Sequence, residues 1–223
     1  DESRTNGYPA DKLSHVPNAI DVNRFRPQPD ERATVRSELG IEHEAPLIGL
    51  FARIHPMKDH GTFLDAARLL LNKLPNAKFI CAGEVSEGFD DHNEKMLAKA
   101  KALNIEDAIL WLGPRTDPER LMAACDITTL TSNSGEGFPN SVAESLACGT
   151  PCIPTDVGDG SLIVDGFVQS IAKYDSKALA SECHTQLVAL DHSDKLGEKL
   201  RRSVVKRYSP ENIAKTTLIL LTR

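Results

Sequence analysis

Leu47-Ile48-Gly49-Leu50-Phe51-Ala52 is the stretch that decides the fold. It is apolar almost without interruption, as a parallel strand buried on both faces requires; a strand with one wet face would alternate. Downstream, Phe63, Ala66, Ala67, Leu70, Leu71 and Leu74 recur at i, i+3, i+4, i+7, i+8 and i+11, which puts all six on one helix face. Pro75-Asn76 ends that pattern. A second strand is expected over 77–82, leading to Gly83, and a helix from near Asp90 past Leu97 and Ala100. A third strand over 108–112 precedes Gly113-Pro114 and a helix with Asp117 as N-cap and Pro118 at its first position. The fourth strand covers 127–131. Pro139 then opens a helix carrying Val142, Ala143, Leu146 and Ala147, which Gly149 stops at C′, with Pro151 beyond. A fifth strand is expected over 151–155 and an extended edge over 166–171. Three closing helices follow over 175–190, over 194–207, and from Ser209 as N-cap with Pro210 next.

Strands alternating with helices demand right-handed crossovers, so the expected fold class is α/β: one Rossmann-like, doubly wound parallel sheet spanning residues 1–223. No fixed-period repeat, low-complexity tract or Gly/Ser/Pro linker interrupts it. Upstream of Pro46 the pattern is thinner, with a strand expected over 12–16 and a short helix over 30–39.

The 223 residues carry 26 Lys+Arg against 32 Asp+Glu, a formal charge of -6, with 40% hydrophobic residues. A globular chain of this size buries about 70% of its unfolded surface, so the core needs no staples. The acidic balance argues against nucleic acid as a partner, since that affinity rests on clustered cations. Five scattered cysteines without a Cys-x-x-Cys pair suit buried thiols in a reducing cytosol. His55 and His60 lack a His-Glu-x-x-His helix, and no acidic cluster completes a shell, so no metal is expected. Apolar runs such as 47–52 and 218–221 fall far short of the roughly 20 residues that cross a bilayer, and the acidic N-terminus does not resemble a signal peptide. A cytoplasmic location is the expectation.

Ligands of such sheets bind beyond the carboxyl ends of the strands. The loop after the first strand reads Arg53-Ile54-His55-Pro56-Met57-Lys58, whose two cations can converge on one dianion or simply be solvated. The loop after the fourth, 132–140, contains Gly135-Glu136-Gly137 and feeds a helix whose free N–H groups attract an anion. Glu136 and Glu144 can accept hydroxyls at opposite ends of a ligand there, which describes a sugar nucleotide; an ordinary turn and a solvated helix glutamate remain the plain alternative. Competing motifs fail. Gly135-x-Gly137 lacks a third glycine at Asn140, Gly158-x-Gly160 runs into 161–163 with no helix start, and no P-loop exists. Ser86 sits one position out of register for a nucleophile elbow between Gly83 and Gly88.

Taken together, Gly135-Glu136-Gly137-Phe138-Pro139-Asn140-Ser141-Val142-Ala143-Glu144, then Ala147-Cys148-Gly149-Thr150-Pro151 and Thr155-Asp156-Val157-Gly158, resemble the E-x7-E region of retaining glycosyltransferases of the GT-B fold, glycosyltransferase family 4 (group 1). Arg53 with Lys58 looks like that family's Arg and Lys pair. Val16-Pro17-Asn18-Ala19-Ile20-Asp21 with Phe25-Arg26-Pro27 looks like its domain-opening stretch. The similarity covers almost the whole chain in order, with Ala52 and Ala19 standing where the family usually has glycine and Gly83-Glu84-Val85 in place of a glycine-rich loop.

The resemblance implies a C-terminal donor-binding domain. Arg53 and Lys58 would contact the donor diphosphate, and Glu136 the donor sugar. The backbone of Gly137, Phe138 and Pro139 would cradle sugar and distal phosphate, Glu144 would hold the ribose, and Arg115 would line the base pocket. Glu136, Arg53 and Lys58 would be the catalytic set, acting on a UDP-, GDP- or ADP-sugar with no cofactor and no metal. The glycan or lipid-linked acceptor would be met by an N-terminal half absent from these residues, leaving this half inactive alone. Alternatives within the fold are a non-catalytic nucleotide module, a sugar-nucleotide epimerase, or a phosphorylase, although no lysine sits in a pyridoxal-phosphate motif. The basic run Lys199, Arg201, Arg202, Lys206 and Arg207 is expected to be a solvated helix face, with peripheral contact to an anionic membrane as the alternative.

Overall fold

The computed structural model describes residues 13–190 and 195–222. Five strands form one parallel sheet: β1 (Leu47–Phe51), β2 (Lys78–Ala82), β3 (Ile109–Gly113), β4 (Ile127–Leu130) and β5 (Cys152–Pro154). Their order is β3-β2-β1-β4-β5, so winding reverses direction between β1 and β4. In open α/β sheets that reversal opens a crevice at the strands' carboxyl ends. Leu47 pairs with Lys78 and Phe51 with Ala82, while Ile48 pairs with Ile127.

Both faces of the sheet are covered, as the unbroken apolar run of β1 requires. Ile48, Leu50, Phe79 and Cys81 point into a core with α2 (His60–Leu71), α3 (Asp90–Ala102) and α7 (Ser176–Leu190), through Phe63, Leu64, Leu70, Ala100, Leu179 and Cys183. Leu47 and Ile80 point the opposite way, against α1 (Pro29–Glu38) and α4 (Pro118–Ala124). Further along that side, α5 (Asn140–Ala147), the short α6 (Gly160–Val164) and α8 (Leu196–Tyr208) bury Val142, Leu146, Ile163, Leu200 and Val204. Gly149 takes φ +81°, the left-handed stop expected after α5. The last helix, α9 (Pro210–Leu221), starts on the Ser209 cap, whose side chain accepts from the Asn212 N–H.

One buried ionic cluster locks α1 to the amino ends of the strands. Arg36, 1% exposed, donates to the carbonyls of Ala124 and Ala45 and to Asp126. Arg32 pairs with the same carboxylate, and the Leu47 N–H donates to it at 2.7 Å. With its donors satisfied, the guanidinium stays buried without an orphaned charge.

The structure corrects several expectations. Residues 13–16 form no strand, and residue 12 lies outside the described residues. The stretch 166–171 is no edge strand: only Ile171 bridges to Thr155. A helix does begin at Gly160, where none was expected; five residues are too few to show a period, and burial of Ile163 and Val164 holds it. Asp117 stands at the N-cap position of α4 but makes no capping bond, because Arg115 and Arg120 take its carboxylate. The helix expected over 194–207 is observed as α8; Asp194 itself lies outside the described residues.

The basic run on α8 is only partly a solvated face. Arg201 donates to the carbonyls of Phe25, Ala147 and Val22, and Arg207 to those of Leu162 and Ile163. The carbonyls of Ala147, Leu162 and Ile163 lie near helix ends and would otherwise lack donors, and those of Val22 and Phe25 belong to the opening turn, while Lys199, Arg202 and Lys206 remain exposed.

Candidate functional site

The loops leaving β1 and β4 face one another across the switch-point crevice and are tied together before any charge is considered. Thr131 Oγ1 donates to the Lys58 carbonyl at 2.8 Å, the Asn133 N–H to the Met57 carbonyl at 2.8 Å, and Asn133 Nδ2 to the Pro56 carbonyl at 2.9 Å. A tight turn over 56–58 presents Lys58, its start held by the Met57 N–H donating to His55 Nδ1 at 3.0 Å. Lys58 Nζ then pairs with Glu136 Oε1, and Ser132 Oγ donates to that same oxygen at 2.5 Å. The side chains of Lys58 and Glu136 are only 17% and 9% exposed. Two charges 78 residues apart in sequence are therefore joined where water screens them weakly.

The Glu136 turn is backed by the segment after β5. The Asp159 N–H donates to the Gly137 carbonyl at 2.9 Å. Gly158 lies at φ +62°, and a Cβ there would stand 2.5 Å from the carbonyl oxygens of both Glu136 and Gly137, so only glycine fits. No side chain caps α5, whose Pro139 N-cap leaves first-turn N–H groups facing the turn. Asp159 also pairs with His15 Nε2 at 3.0 Å, and Asn18 Nδ2 donates to Asn140 Oδ1 at 2.9 Å, which brings the opening segment of the chain onto the same edge.

Two cavities open here. One, of about 300 Å³, is lined by Arg53, Gly83, Glu84, Arg115, Ser141 and Glu144. The other, of about 660 Å³, takes in Glu136, Gly137, Phe138, Asp156, Asp159 and His15. Glu144 is no solvated helix residue: burial pushes its pKa up to about 7, Arg24 offsetting part of the effect and Glu119 adding to it. Arg115 is bound in bidentate fashion to Asp117 at 2.8 and 2.9 Å. Arg53 is exposed, with no ion pair among the described residues.

The structure thus places Lys58, Glu136, Gly137 and Phe138 at one end of the crevice and Arg53, Arg115 and Glu144 along the other, while Pro139 is buried as the α5 N-cap. Lys58 is paired with Glu136, while Arg53 opens onto the neighbouring cavity. Thr131, Ser132 and Asp159 escaped the sequence reading. A hydroxyl residue closing a strand carries no spacing signal, and the Gly137–Asp159 contact joins segments with no shared pattern. All five cysteines are buried free thiols whose pKa values burial pushes up, which suits packing and not nucleophilic chemistry.

The sequence profile described as Glycosyl transferases group 1 matches residues 31–215. The chain belongs to this glycosyltransferase family. A D-inositol 3-phosphate glycosyltransferase of Corynebacterium jeikeium is 36% identical over 159 residues, covering 68% of this chain and 37% of that protein. A UDP-Gal:alpha-D-GlcNAc-diphosphoundecaprenol alpha-1,3-galactosyltransferase of Escherichia coli is 26% identical over 74% of this chain and 43% of its own length. Among solved structures, HepE of Anabaena in complex with UDP-glucose superposes with a TM-score of 0.89 at 23% identity, covering 98% of this chain and 60% of that one. The C-terminal domain of the group 1 protein LpcC from Francisella tularensis gives 0.71 at 23% identity, with 86% of this chain and 99% of that one covered. This glycosyltransferase chain thus has the Rossmann-like fold of a GT-B C-terminal half, and it spans less than half the length of the curated relatives it matches. No helix among the described residues is long and apolar enough to cross a membrane.

Proposed function

We propose that this chain binds a nucleoside-diphosphate sugar as the donor-binding half of a retaining glycosyltransferase of family 4, and that the enzyme transfers the sugar to a glycan or lipid-linked acceptor. The observation that carries the reading is the crevice at the β1/β4 switch point, where Lys58, Glu136 and the uncapped start of α5 meet beside the cavity of Arg53, Arg115 and Glu144. The UDP and UDP-glucose complexes of the HepE neighbour support a nucleotide-sugar ligand.

In this reading the base and ribose occupy the cavity of about 300 Å³, with ribose hydroxyls donating to Glu144 and the base beside Arg115. The diphosphate runs between Arg53 and Lys58 towards the α5 N-terminus, and the sugar lies by Glu136 in the larger cavity. Binding requires Lys58 to be shared between Glu136 and phosphate oxygens. The same cations that bind the donor then stabilise the charge that grows on the leaving nucleoside diphosphate, so their effect is larger in the transition state than in the ground state. A leaving phosphate oxygen takes the acceptor proton, and no metal is required. The acceptor is met by an N-terminal domain, and the present chain alone transfers no sugar; its place at the inner face of a membrane belongs to the same proposal.

Calorimetric titration with UDP, GDP and ADP tests it. At least one is expected to bind, and Lys58→Ala to weaken that binding by about tenfold, the worth of a charge-assisted contact of roughly 1.4 kcal/mol. Absence of binding by all three refutes the reading.

A further inference from the structure

We propose that Ser132 is a positioning residue for Glu136: its hydroxyl and Lys58 together occupy Oε1 and leave Oε2 as the oxygen that receives a hydroxyl of the donor sugar. The inference rests on the donor-binding reading above and concerns the sugar, not the nucleotide.

Ser132 is fully buried, and its Oγ donates at 2.5 Å to the carboxylate oxygen that Lys58 also holds. It is itself fixed from behind, since its carbonyl accepts Thr155 Oγ1 at 2.5 Å and the Thr155 N–H donates to the Leu130 carbonyl at 2.8 Å. The serine is thereby held against the end of β5 and cannot follow the glutamate if it moves. No hydrogen bond among the described residues reaches Glu136 Oε2, and Glu136 lines the cavity of about 660 Å³.

The two partners of Oε1 do different things. An ammonium is a compact point charge with little directional demand, so Lys58 alone would let the carboxylate swing about its terminal torsion, which is intrinsically broad. A hydroxyl donor anchored to the sheet adds direction. With both in place, one oxygen is committed and the other is aimed. Nothing comparable is built for Glu144, whose carboxyl group accepts no hydrogen bond from the described residues.

Calorimetry on the full chain tests the proposal. UDP, GDP and ADP identify the base that binds, and titration with UDP-, GDP- or ADP-glucose accordingly measures the added affinity due to the sugar. Ser132→Ala is expected to leave the nucleoside diphosphate affinity within about twofold and to cut the glucose increment about tenfold, as loss of a bond to a charged group does. In a Glu136→Ala background the same change is expected to have no further effect, because a residue acting through another loses its influence when that other is gone. Ser132→Cys, nearly isosteric with a weaker donor, is expected to shift the increment in the same direction and carries the test if the alanine variant fails to fold. Equal losses for nucleotide and sugar nucleotide, or an effect that persists without Glu136, would overturn the proposal in favour of simple packing. A wild-type chain that binds nucleotide with no glucose increment overturns this proposal alone; one that binds none of the three nucleotides overturns the donor-binding reading and this proposal with it.

Discussion

Replacing Glu144 by Gln should stabilise the protein at alkaline pH while leaving it unchanged in acid. Burial raises the Glu144 pKa from 4.5 to about 7. Below pH 4.5 the group is protonated in folded and unfolded chains alike and contributes nothing. Between pH 4.5 and 7 the unfolded chain releases its proton first, so stability falls as pH rises; above 7 both states are ionised and the cost is constant. At about 1.4 kcal/mol per pH unit, that cost is about 3 kcal/mol. Glutamine has the same shape and no charge to desolvate, and no hydrogen bond from the described residues is lost with the carboxylate. For a domain of this size, about 3 kcal/mol corresponds to a Tm higher by roughly 6–12 °C. Thermal unfolding of both proteins at pH 5 and pH 8 reads the difference: curves converging at pH 5 and separated at pH 8. A gap equal at both pH values, or a variant less stable at pH 8, would refute the reasoning. On the donor-binding proposal, the same substitution is expected to weaken nucleotide binding at pH 8, the outcome that a site trading stability for function would give.

Three other outcomes follow from the packing. Asp126→Asn leaves Arg32 and Arg36 facing a neutral group, and urea titration is expected to show a loss of about 3 kcal/mol, in the range for breaking a buried ion pair. Gly158→Ala puts a methyl against two carbonyl oxygens at a positive φ; about 1–3 kcal/mol of stability should disappear, and sugar-nucleotide affinity with it, while nucleoside diphosphate binding is largely spared. Arg201→Ala, which strips three carbonyls of their donor, is expected to lower Tm clearly, whereas exposed Arg202→Ala should stay within about 0.5 kcal/mol of wild type. Equal effects of the two would mean that the α8 arginines are interchangeable surface charges.

The amino-acid sequence by itself determined the alternation of strands and helices along the chain and the doubly wound parallel class that follows from it. Runs such as 47–52 can bury both sides only in a covered parallel sheet, and caps such as Ser209-Pro210 and the Gly149 stop act through local backbone chemistry that needs no partner. It also singled out Lys58, Glu136 and Glu144, because motif spacing survives in one dimension. What it did not hold was any contact between segments far apart in the chain. The ion pair of Lys58 with Glu136, the hydroxyls of Thr131 and Ser132 beside it, and the fit of Gly158 under the Glu136 turn exist only because β1 and β4 are neighbours and β5 follows. The short helix at Gly160 and the role of Arg201 and Arg207 as carbonyl partners come from the same source, since five residues have no period and an arginine's partner is not written in its neighbours. Only the tertiary structure decided that Glu144 is half-buried, because burial depends on which surfaces the other helices cover, and burial is what raises its pKa.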